Sequence, residues 1–339
     1  MTQTDISSLD AAALAGRVER FKAVREEILA QVGQVIVGQD EVLDQILTAL
    51  LVGGHCLITG LPGTAKTLMV RTIAQTLGLA FSRIQFTPDL MPADITGTDI
   101  IEDDQTTGRR RWTFAAGPLF GNVVLADEIN RTPPKTQSAL LEAMQEHSCT
   151  VRGTVHPLPS PFFVLATQNP IELEGTYPLP EAQLDRFLFN TVLDYLSLEH
   201  ELQVIARTTS TQSAAVATVT SAAELLEFQQ LIRMVPVSDE VARHVVRVVR
   251  ATRFKSEEAP EIIRRYVNYG GSVRAAQFIV LAAKARALAR GRYHVDFDDI
   301  DAYVLPVLRH RILLNFHAQS DRIEADEILR QMLAQIPRP

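Results

Sequence analysis

The spacing of hydrophobic residues follows two patterns along the chain, and the change of pattern divides the chain into regions. From about Ala13 to Val35 the apolar positions recur at helical spacing, and a second amphipathic helix begins at Gly38 and Gln39. Short unbroken apolar runs follow, which are typical of strands buried on both faces of a parallel sheet. The predicted strands are His55–Thr59, Phe81–Phe86, Asn122–Asp127, Phe162–Thr167 and Leu188–Leu193.

Helical stretches between these runs supply the crossovers, so the pattern predicts an α/β fold with a five-stranded parallel sheet. Two hairpins interrupt it, at about residues 95–116 and 149–158, and the second turns at Arg152 and Gly153. A polar connector at 208–220 follows the sheet. The expected regions are an N-terminal helical segment (1–35), an α/β nucleotide-binding domain (36–194) and a small helical domain (195–339).

Local signals set helix ends in the C-terminal region. Ser221 and Glu224 have the spacing of a capping box, in which each side chain bonds to the other residue's backbone N–H. Further helices are predicted at 239–254, 272–290 and 298–305, and Pro306 is expected to end or kink the last of these.

Composition narrows the class of protein. Of 339 residues, 46% are hydrophobic and 22% are charged, as in ordinary globular proteins, and the net charge of −7 disfavours nucleic acid as a partner. Cys56 and Cys149 have no second pair for a metal site, so we expect reduced, buried thiols. No targeting signal or apolar run of about 18 residues is present, which favours the cytoplasm and excludes direct membrane insertion.

The loop "GLPGTAKT", Gly60 to Thr67, follows a predicted strand and precedes a predicted helix. A phosphate-binding loop needs backbone N–H groups at a helix N-terminus, a lysine and a hydroxyl group, and this stretch supplies all three. The usual pattern has a glycine where this chain has Ala65. We expect φ of Ala65 to be negative, so that its methyl group costs little. The other interpretation is an ordinary strand-to-helix turn.

The stretch "VVLADEIN" ends a predicted strand on two carboxylates. Asp127 is placed to support a metal ion and Glu128 to face an attacking water, which is the division that nucleotide hydrolysis requires. A polar strand end that caps the next helix is the alternative.

These motifs, together with "ATQNP" and "LPEAQLDRF", resemble those of AAA+ ATPases. The stretches "FTPDLMPADITG" and "ADEINRTPPKTQSALLEAMQE" are similar to the MoxR family within that group. The resemblance runs from about Val35 through the helical region. It implies a P-loop NTPase core followed by an all-helical lid domain.

The resemblance also implies how the chain would hold ATP and Mg²⁺. Lys66 would contact the β- and γ-phosphates, while Thr67 and Asp127 would hold the metal. Gly38 and Gln39 would lie near the adenine. The residues implied in the loop around the nucleotide are Gly60, Leu61, Pro62, Gly63, Thr64, Ala65, Lys66, Thr67 and Leu68.

The resemblance implies four further roles. Glu128 would be the base that polarises water, and Asn169 would be the sensor that positions it. Arg186 would be an arginine finger that reaches a nucleotide held by the neighbouring subunit, and Arg274 would be a second sensor on the lid, acting in cis or in trans. A surface ion pair with Asp185 is the alternative for Arg186, and an exposed residue at a helix start is the alternative for Arg274.

A finger donated in trans implies a ring, for which the family suggests a hexamer. The family further implies chaperone-like remodelling of a protein client, in some cases a von Willebrand factor A domain protein. The hairpins, with Trp112 and Arg109, Arg110 and Arg111, are candidate contacts for a client, or else a solvated basic turn beside a packed indole. The alternative functions are a metal chelatase motor, a nucleic-acid motor, and an ATP-dependent scaffold that does not hydrolyse.

Overall fold

Five short strands align in parallel at the centre of the computed structural model, which describes residues 11–61, 63–103, 110–169, 175–209 and 215–338. In chain numbering the strands are β1 (Cys56–Gly60), β2 (Phe81–Gln85), β5 (Val123–Asp127), β8 (Phe163–Gln168) and β9 (Phe189–Leu193). Their order across the sheet is β2-β5-β8-β1-β9, and every pairing is parallel. This confirms the predicted five-stranded parallel sheet.

Alternate residues of the three central strands, β1, β5 and β8, enter two separate hydrophobic cores, one on each face of the sheet. Ile58 and Val123 lie in the first core, whereas their neighbours Leu57 and Val124 lie in the second. Because both faces are covered, a strand needs apolar residues at every position. This is why the strands read as unbroken apolar runs in the sequence.

Helices cover both faces of this sheet. The long N-terminal helix and the two helices that flank β1 contribute to the first core, and the helix after β5 contributes to the second. The helices of this part are α1 (Ala11–Gly33), α2 (Asp40–Val52), α3 (Lys66–Thr76), α4 (Pro92–Thr96), α5 (Pro134–Glu146) and α6 (Glu181–Leu184).

Two antiparallel hairpins project from this core, formed by β3 (Gly97–Asp103) with β4 (Arg110–Ala116), and by β6 (Ser148–Val151) with β7 (Thr154–Pro157). The second turns at Arg152 and Gly153, both at positive φ, as a two-residue hairpin loop requires.

The two hairpins touch each other. The rings of Phe114 and His156 stack at 3.9 Å, and the guanidinium of Arg152 lies 5.0 Å from the ring centre of Trp112. Trp112 is nevertheless 59% exposed, so it is not the packed indole of the alternative interpretation. Arg109 and the turn before it lie outside the described residues, as does the side chain of Arg111.

The chain then continues as a helical lid with a small two-stranded sheet. Its elements are α7 (Leu198–Thr208), α8 (Ala222–Met234), α9 (Asp239–Ala251), α10 (Glu261–Tyr266), β10 (Val267–Tyr269), α11 (Val273–Ala289), α12 (Phe297–Leu308), β11 (Leu313–Leu314), α13 (Phe316–Asp321) and α14 (Ala325–Leu333). In the described part of the predicted connector, residues 215–220 have no regular secondary structure.

The lid shares a hydrophobic core with the sheet. The ring of Tyr303 on α12 stacks on that of Phe189 at 5.2 Å, and its hydroxyl lies 3.2 Å from that of Thr48 on α2. Leu225, Val248 and Ile300 of the lid belong to the same buried cluster as β1. The lid is therefore anchored to one face of the sheet by apolar packing.

Two local predictions in the lid hold only in part. Pro306 was expected to end or kink α12, and the helix does not end there but runs on to Leu308. The proline removes the hydrogen bond of its own N–H, but the rest of the last turn can still form. The capping box is half formed. Ser221 accepts from the N–H of Glu224, but the Glu224 carboxylate binds Arg20 and Thr220 instead.

Both cysteines are buried free thiols, as predicted. Burial raises the pKa of Cys56 to about 12, so this thiol stays protonated. Within the described residues, no helix combines the length and the apolarity that crossing a membrane requires.

Candidate active site

The loop after β1 turns the chain sharply into α3. Gly60 lies so close to β9 that a Cβ on it would lie 2.7 Å from the Cβ of Leu193, and Gly63 has φ +80°. Thr64 closes the turn by donating its hydroxyl to the Leu61 carbonyl at 2.8 Å. Pro62 lies outside the described residues. The loop ends at the N-terminus of α3, where backbone N–H groups are unpaired within the helix.

Ala65 adopts a conformation that the sequence did not predict. Its φ is +58° and its ψ is 24°, so the expectation of a negative φ was wrong. Ala65 is not the first residue of the helix but the residue before it, where the chain reverses into α3. The left-handed conformation explains why a glycine is usual at this position.

Lys66 is the first residue of α3, and its ammonium group lies against the loop. The Nζ atom donates to the carbonyls of Gly60 at 2.9 Å and of Leu61 at 2.8 Å. Burial lowers the pKa of Lys66, while Asp127 and Glu128 act in the opposite direction. To contact a phosphate, the ammonium has to exchange these carbonyls for phosphate oxygens.

The loop forms one wall of a cavity of about 530 Å³ at the carboxyl edge of the sheet. Most of the predicted phosphate, metal and water-handling residues meet here. The lining residues are Gly63, Thr64, Ala65, Lys66, Thr67, Leu68, Arg83, Asp127, Glu128, Thr167 and Asn169. Two of them, Arg83 and Thr167, were not among the predicted site residues.

Thr167 bonds to Asp127, the last residue of β5, and to Glu128, which follows it. Its hydroxyl donates to Oδ1 of Asp127 at 2.7 Å and accepts from the backbone N–H of Glu128 at 2.9 Å. A single hydroxyl on the neighbouring strand β8 therefore sets the direction of Asp127 and the backbone after it. Thr167 stands in the "ATQNP" motif, so the motif contained this signal.

Arg83 pairs with the predicted metal-binding carboxylate. Its Nη2 atom lies 2.6 Å from Oδ2 of Asp127, and its Nε atom lies 3.2 Å from the same oxygen. Arg83 is on β2, which neighbours β5 in the sheet, so its place was detectable only once the strand order was known. The guanidinium competes with a metal ion for this oxygen.

Glu128 has a strained backbone and a constrained side chain. Its φ of +58° and ψ of 48° are left-handed. Its Oε2 atom accepts from Nε2 of Gln85 at 2.9 Å and from Nη1 of Arg131 at 3.0 Å. The carboxylate is thus held at the cavity wall by two side chains. Arg131 therefore contacts Glu128 of its own chain.

A second cavity of about 240 Å³ adjoins the loop and shares Gly63, Thr64, Ala65 and Leu68 with the first. Gln39 lines it and donates to the Asp194 carbonyl at 3.3 Å. Its walls are mainly apolar, which suits a planar base. The other lining residues are Val35, Ile36, Val37, Asp194, Tyr195, Leu196, Glu201, Val204, Arg207 and Thr208.

Gly38 lies beside this second cavity. It has φ +71°, and a Cβ on it would overlap the imidazole ring of His200 on α7. The sequence predicted the wall near Gly38 but missed the wall that α7 contributes, since that helix is brought there by tertiary packing.

The structure places Arg186 and Arg274 away from both cavities. Arg186 precedes β9, so it lies at the amino edge of the parallel sheet, and a five-residue strand of roughly 16 Å separates this edge from the loop. Its Nη1 atom donates to the Leu141 carbonyl at 2.6 Å. Arg274 lies nearby, with Nη1 3.2 Å from Oδ2 of Asp185.

Comparison with known proteins agrees with this architecture. The model of the ATPase family associated with various cellular activities (AAA) matches residues 55–189, and the AAA lid domain model matches residues 259–332. The chain is 44% identical over 314 residues to Chaperone MoxR1 of Mycobacterium tuberculosis, covering 93% of this chain and 82% of that one. This chain belongs to the MoxR family of AAA+ ATPases.

Other MoxR-like chains match over nearly their whole length. The uncharacterized protein YeaC of Bacillus subtilis is 42% identical over 91% of this chain and 92% of its own. Protein MoxR of Paracoccus denitrificans is 30% identical, with coverages of 91% and 95%. A Cytophaga hutchinsonii protein of known crystal structure superposes with a TM-score of 0.89 at 42% identity, covering 96% and 97%. The predicted α/β core and helical lid are confirmed.

The residues in the larger cavity fit a nucleotide-bound magnesium ion. Mg²⁺ prefers oxygen ligands and is usually held by one or two protein groups together with phosphates and waters. The Thr67 hydroxyl and the Asp127 carboxylate line the same cavity as the loop and supply such oxygens. No group of three or more His, Cys, Asp or Glu side chains within the described residues is arranged to hold a metal ion.

Replacement of Ala65 by glycine should stabilise the protein. The left-handed conformation costs a non-glycine residue roughly 1–2 kcal/mol, and glycine adopts it freely. After the entropy that glycine loses on folding, we expect Ala65→Gly to raise the free energy of unfolding by about 1 kcal/mol, measured by urea denaturation. Ala23→Gly, at an exposed position in the middle of α1, is the control and should lower it by about 1 kcal/mol. Equal losses in both variants would contradict a positive φ at Ala65.

Loss of the Arg83 guanidinium should strengthen metal binding. In Arg83→Gln, Oδ2 of Asp127 no longer has a competing cation, so the apparent affinity for Mg²⁺ should rise about two- to five-fold, which is the effect of a half-exposed ion pair. The measurement is a Mg²⁺ titration with a fluorescent ATP analogue. Arg71→Gln, which removes the same charge from the exposed side of α3, is the control. Weaker binding in Arg83→Gln would instead mean that Arg83 contacts the nucleotide phosphates.

Proposed function

We propose that this chain hydrolyses ATP with Mg²⁺, as one subunit of a ring in which each active site is shared between neighbours. The observation that carries this proposal is the cavity at the carboxyl edge of the sheet. It gathers a lysine, a hydroxyl, two carboxylates and an amide at one cavity, and these groups can supply the phosphate, metal and water contacts of phosphoryl transfer.

In this proposal the loop and Lys66 bind the phosphates. Backbone N–H groups at the start of α3 face the β-phosphate, and the Lys66 ammonium neutralises charge on the outer phosphates. Thr67 and Asp127 hold Mg²⁺, which supplies positive charge to the phosphoryl oxygens when it is bound. Gly38, Gln39 and α7 enclose the adenine in the smaller cavity.

Glu128 and Asn169 act on the attacking water. The Glu128 carboxylate accepts a hydrogen bond from the water and polarises it, while the Asn169 side chain at the end of β8 fixes the water's position. Gln85 and Arg131 hold one oxygen of Glu128, and Thr167 holds its backbone. This preorganisation limits the side-chain freedom that Glu128 loses in the transition state.

Arg186 completes the site of the next subunit. Its position at the opposite edge of the sheet prevents it from reaching its own phosphates. A finger that acts only on a neighbour requires a head-to-tail interface, and such interfaces close into rings. We infer a hexamer from the family, and we infer that Arg274, which lies beside Asp185, also acts in trans.

We infer that the protein uses ATP hydrolysis to remodel or activate a protein complex in the cytoplasm. The M. tuberculosis relative carries the name chaperone. On this chain, Ile101 and Trp112 face each other across the first hairpin and are 53% and 59% exposed. These exposed side chains support a protein client, for which a von Willebrand factor A domain protein is the candidate that the family suggests.

Turnover by the wild-type protein should depend on protein concentration. Because each site needs a residue from a neighbour, the specific rate of ATP hydrolysis with Mg²⁺ should rise with concentration and then level off as rings form. Glu128→Gln should bind ATP and lose at least about 100-fold of the rate, since the base is removed. The measurement is steady-state phosphate release beside nucleotide binding. If the wild type binds ATP without hydrolysing it at any concentration, the chain is a scaffold.

Arg186→Ala should separate binding from turnover. The variant should bind ATP with wild-type affinity, because Arg186 does not line its own nucleotide cavity, and its turnover should fall about 10³-fold. Lys135→Ala, at an exposed position on α5, is the control and should retain turnover. Unchanged turnover in Arg186→Ala would remove this residue from the proposed role.

A further inference from the structure

The segment that carries Arg186 is held by the lid. Residues 185–188 connect α6 to β9, and Arg311, which follows α12, reaches into this segment. Its Nε atom donates to Oδ1 of Asp185 at 2.7 Å, and its Nη2 atom donates to the Asp185 carbonyl at 2.9 Å and to the Phe187 carbonyl. Its Nη1 atom donates to the carbonyls of Leu188, at 3.3 Å, and of Val307. One guanidinium thus binds main-chain oxygens on both sides of Arg186.

Burial makes these bonds obligatory. The side chain of Arg311 is 2% exposed, and a buried guanidinium is tolerated only when its donors are paired. Burial lowers the pKa of Arg311 to about 10, and Asp185 opposes this shift, so the group stays charged at neutral pH. Because the carbonyls of Asp185, Phe187 and Leu188 satisfy the charge, the lid cannot move relative to this segment without breaking bonds to it.

Other lid residues bind the same segment. Oγ of Ser272 and Nη1 of Arg274 both lie 3.2 Å from Oδ2 of Asp185. The ring of His310 is 3.2 Å from the Phe187 carbonyl. The Phe278 ring of α11 lies 5.1 Å from the Arg311 guanidinium. Elements of the lid therefore hold both neighbours of Arg186, while the Arg186 side chain itself bonds to α5 of the core.

We propose that Arg311 is a positioning residue, which couples the orientation of the lid to the direction in which Arg186 is presented to the neighbouring subunit. This inference rests on the proposed ATPase and on Arg186 as its finger. The smaller cavity is lined by α7, the helix through which the chain enters the lid. A nucleotide bound there would contact α7, and a change in lid position would reach the next site through Arg311 and the segment that carries Arg186.

This role differs from simple stabilisation of the lid. A residue that only stabilises its own subunit affects the ATP site of that subunit. A residue that positions Arg186 affects the ATP site of the neighbouring subunit. Loss of such a residue can therefore be compensated when a different neighbour with a correctly positioned Arg186 completes that site. Mixed assemblies of two inactive variants separate these possibilities.

The experiment uses the full chain carrying Arg311→Met, alone and mixed with Glu128→Gln. Alone, Arg311→Met should bind ATP normally, with kcat reduced about 10- to 100-fold and KM changed less than two-fold, as expected for loss of a transition-state interaction. In an equal mixture, Arg311→Met supplies intact catalytic sites and Glu128→Gln supplies intact fingers. With random assembly the rate should reach about a quarter of the wild-type rate per subunit.

Two controls define the result. The mixture of Arg186→Ala with Glu128→Gln should regain the same fraction, because it tests the trans finger directly. Arg309→Met removes another lid arginine, which binds Asp326 and the Asn190 carbonyl instead of the Arg186 segment, and it should keep its kcat. If the wild type is inactive or the Arg186→Ala mixture regains nothing, the proposed function fails, and this inference fails with it.

Two results would contradict the role of Arg311 while leaving the proposed ATPase intact. If the Arg186→Ala mixture regains activity and the Arg311→Met mixture does not, or if Arg311→Met alone keeps its full kcat, Arg311 does not position the finger. Arg311→Lys is the second variant in case Arg311→Met does not fold. An ammonium group keeps the buried charge opposite Asp185 but cannot reach carbonyls on both sides of Arg186. The same loss of kcat and the same recovery on mixing are expected.

Discussion

The parallel alignment of β1, β5 and β8 is the constraint on which the site depends. Because the strands run in one direction, the phosphate loop, the two carboxylates and Asn169 all emerge at the same edge of the sheet. Thr167 then joins two of these strands at the critical point, since its hydroxyl bonds to both Asp127 and Glu128. A shift of one residue in this register would turn those side chains into the cores.

The same alignment explains why, in the proposed ring, one subunit would carry only part of a site. Arg186 stands before β9 and therefore at the amino edge, and no side-chain movement spans the length of the sheet. The lid binds the chain on both sides of Arg186, whereas the two cavities proposed for the nucleotide lie at the other edge, and α7 lines the smaller one. Direct contacts thus connect the lid to the segment that carries the proposed finger.

Much of the fold could be predicted from the sequence. Strands buried on both faces leave unbroken apolar runs, and a phosphate-binding loop has a fixed pattern of residue types. Most of the residues that line the larger cavity were predicted for the same reason. Arg83 and the α7 wall were not, since both reach the site through strand order and tertiary packing. Arg311 could not be predicted either, because most of its partners are main-chain carbonyls, which leave no trace in the sequence.

Two of the five non-glycine residues with positive φ in the described part of the chain line the larger cavity. Ala65 and Glu128 both have left-handed backbones, and each follows the carboxyl end of a strand in the sheet. Such conformations persist only where surrounding structure holds them. For Ala65 the restraint is the sharp entry into α3, and for Glu128 it is the bond from its N–H to Thr167. The first conformation aims the N–H groups of α3 into the cavity, and the second turns a carboxylate toward the same space, so the strain is part of how the site is assembled.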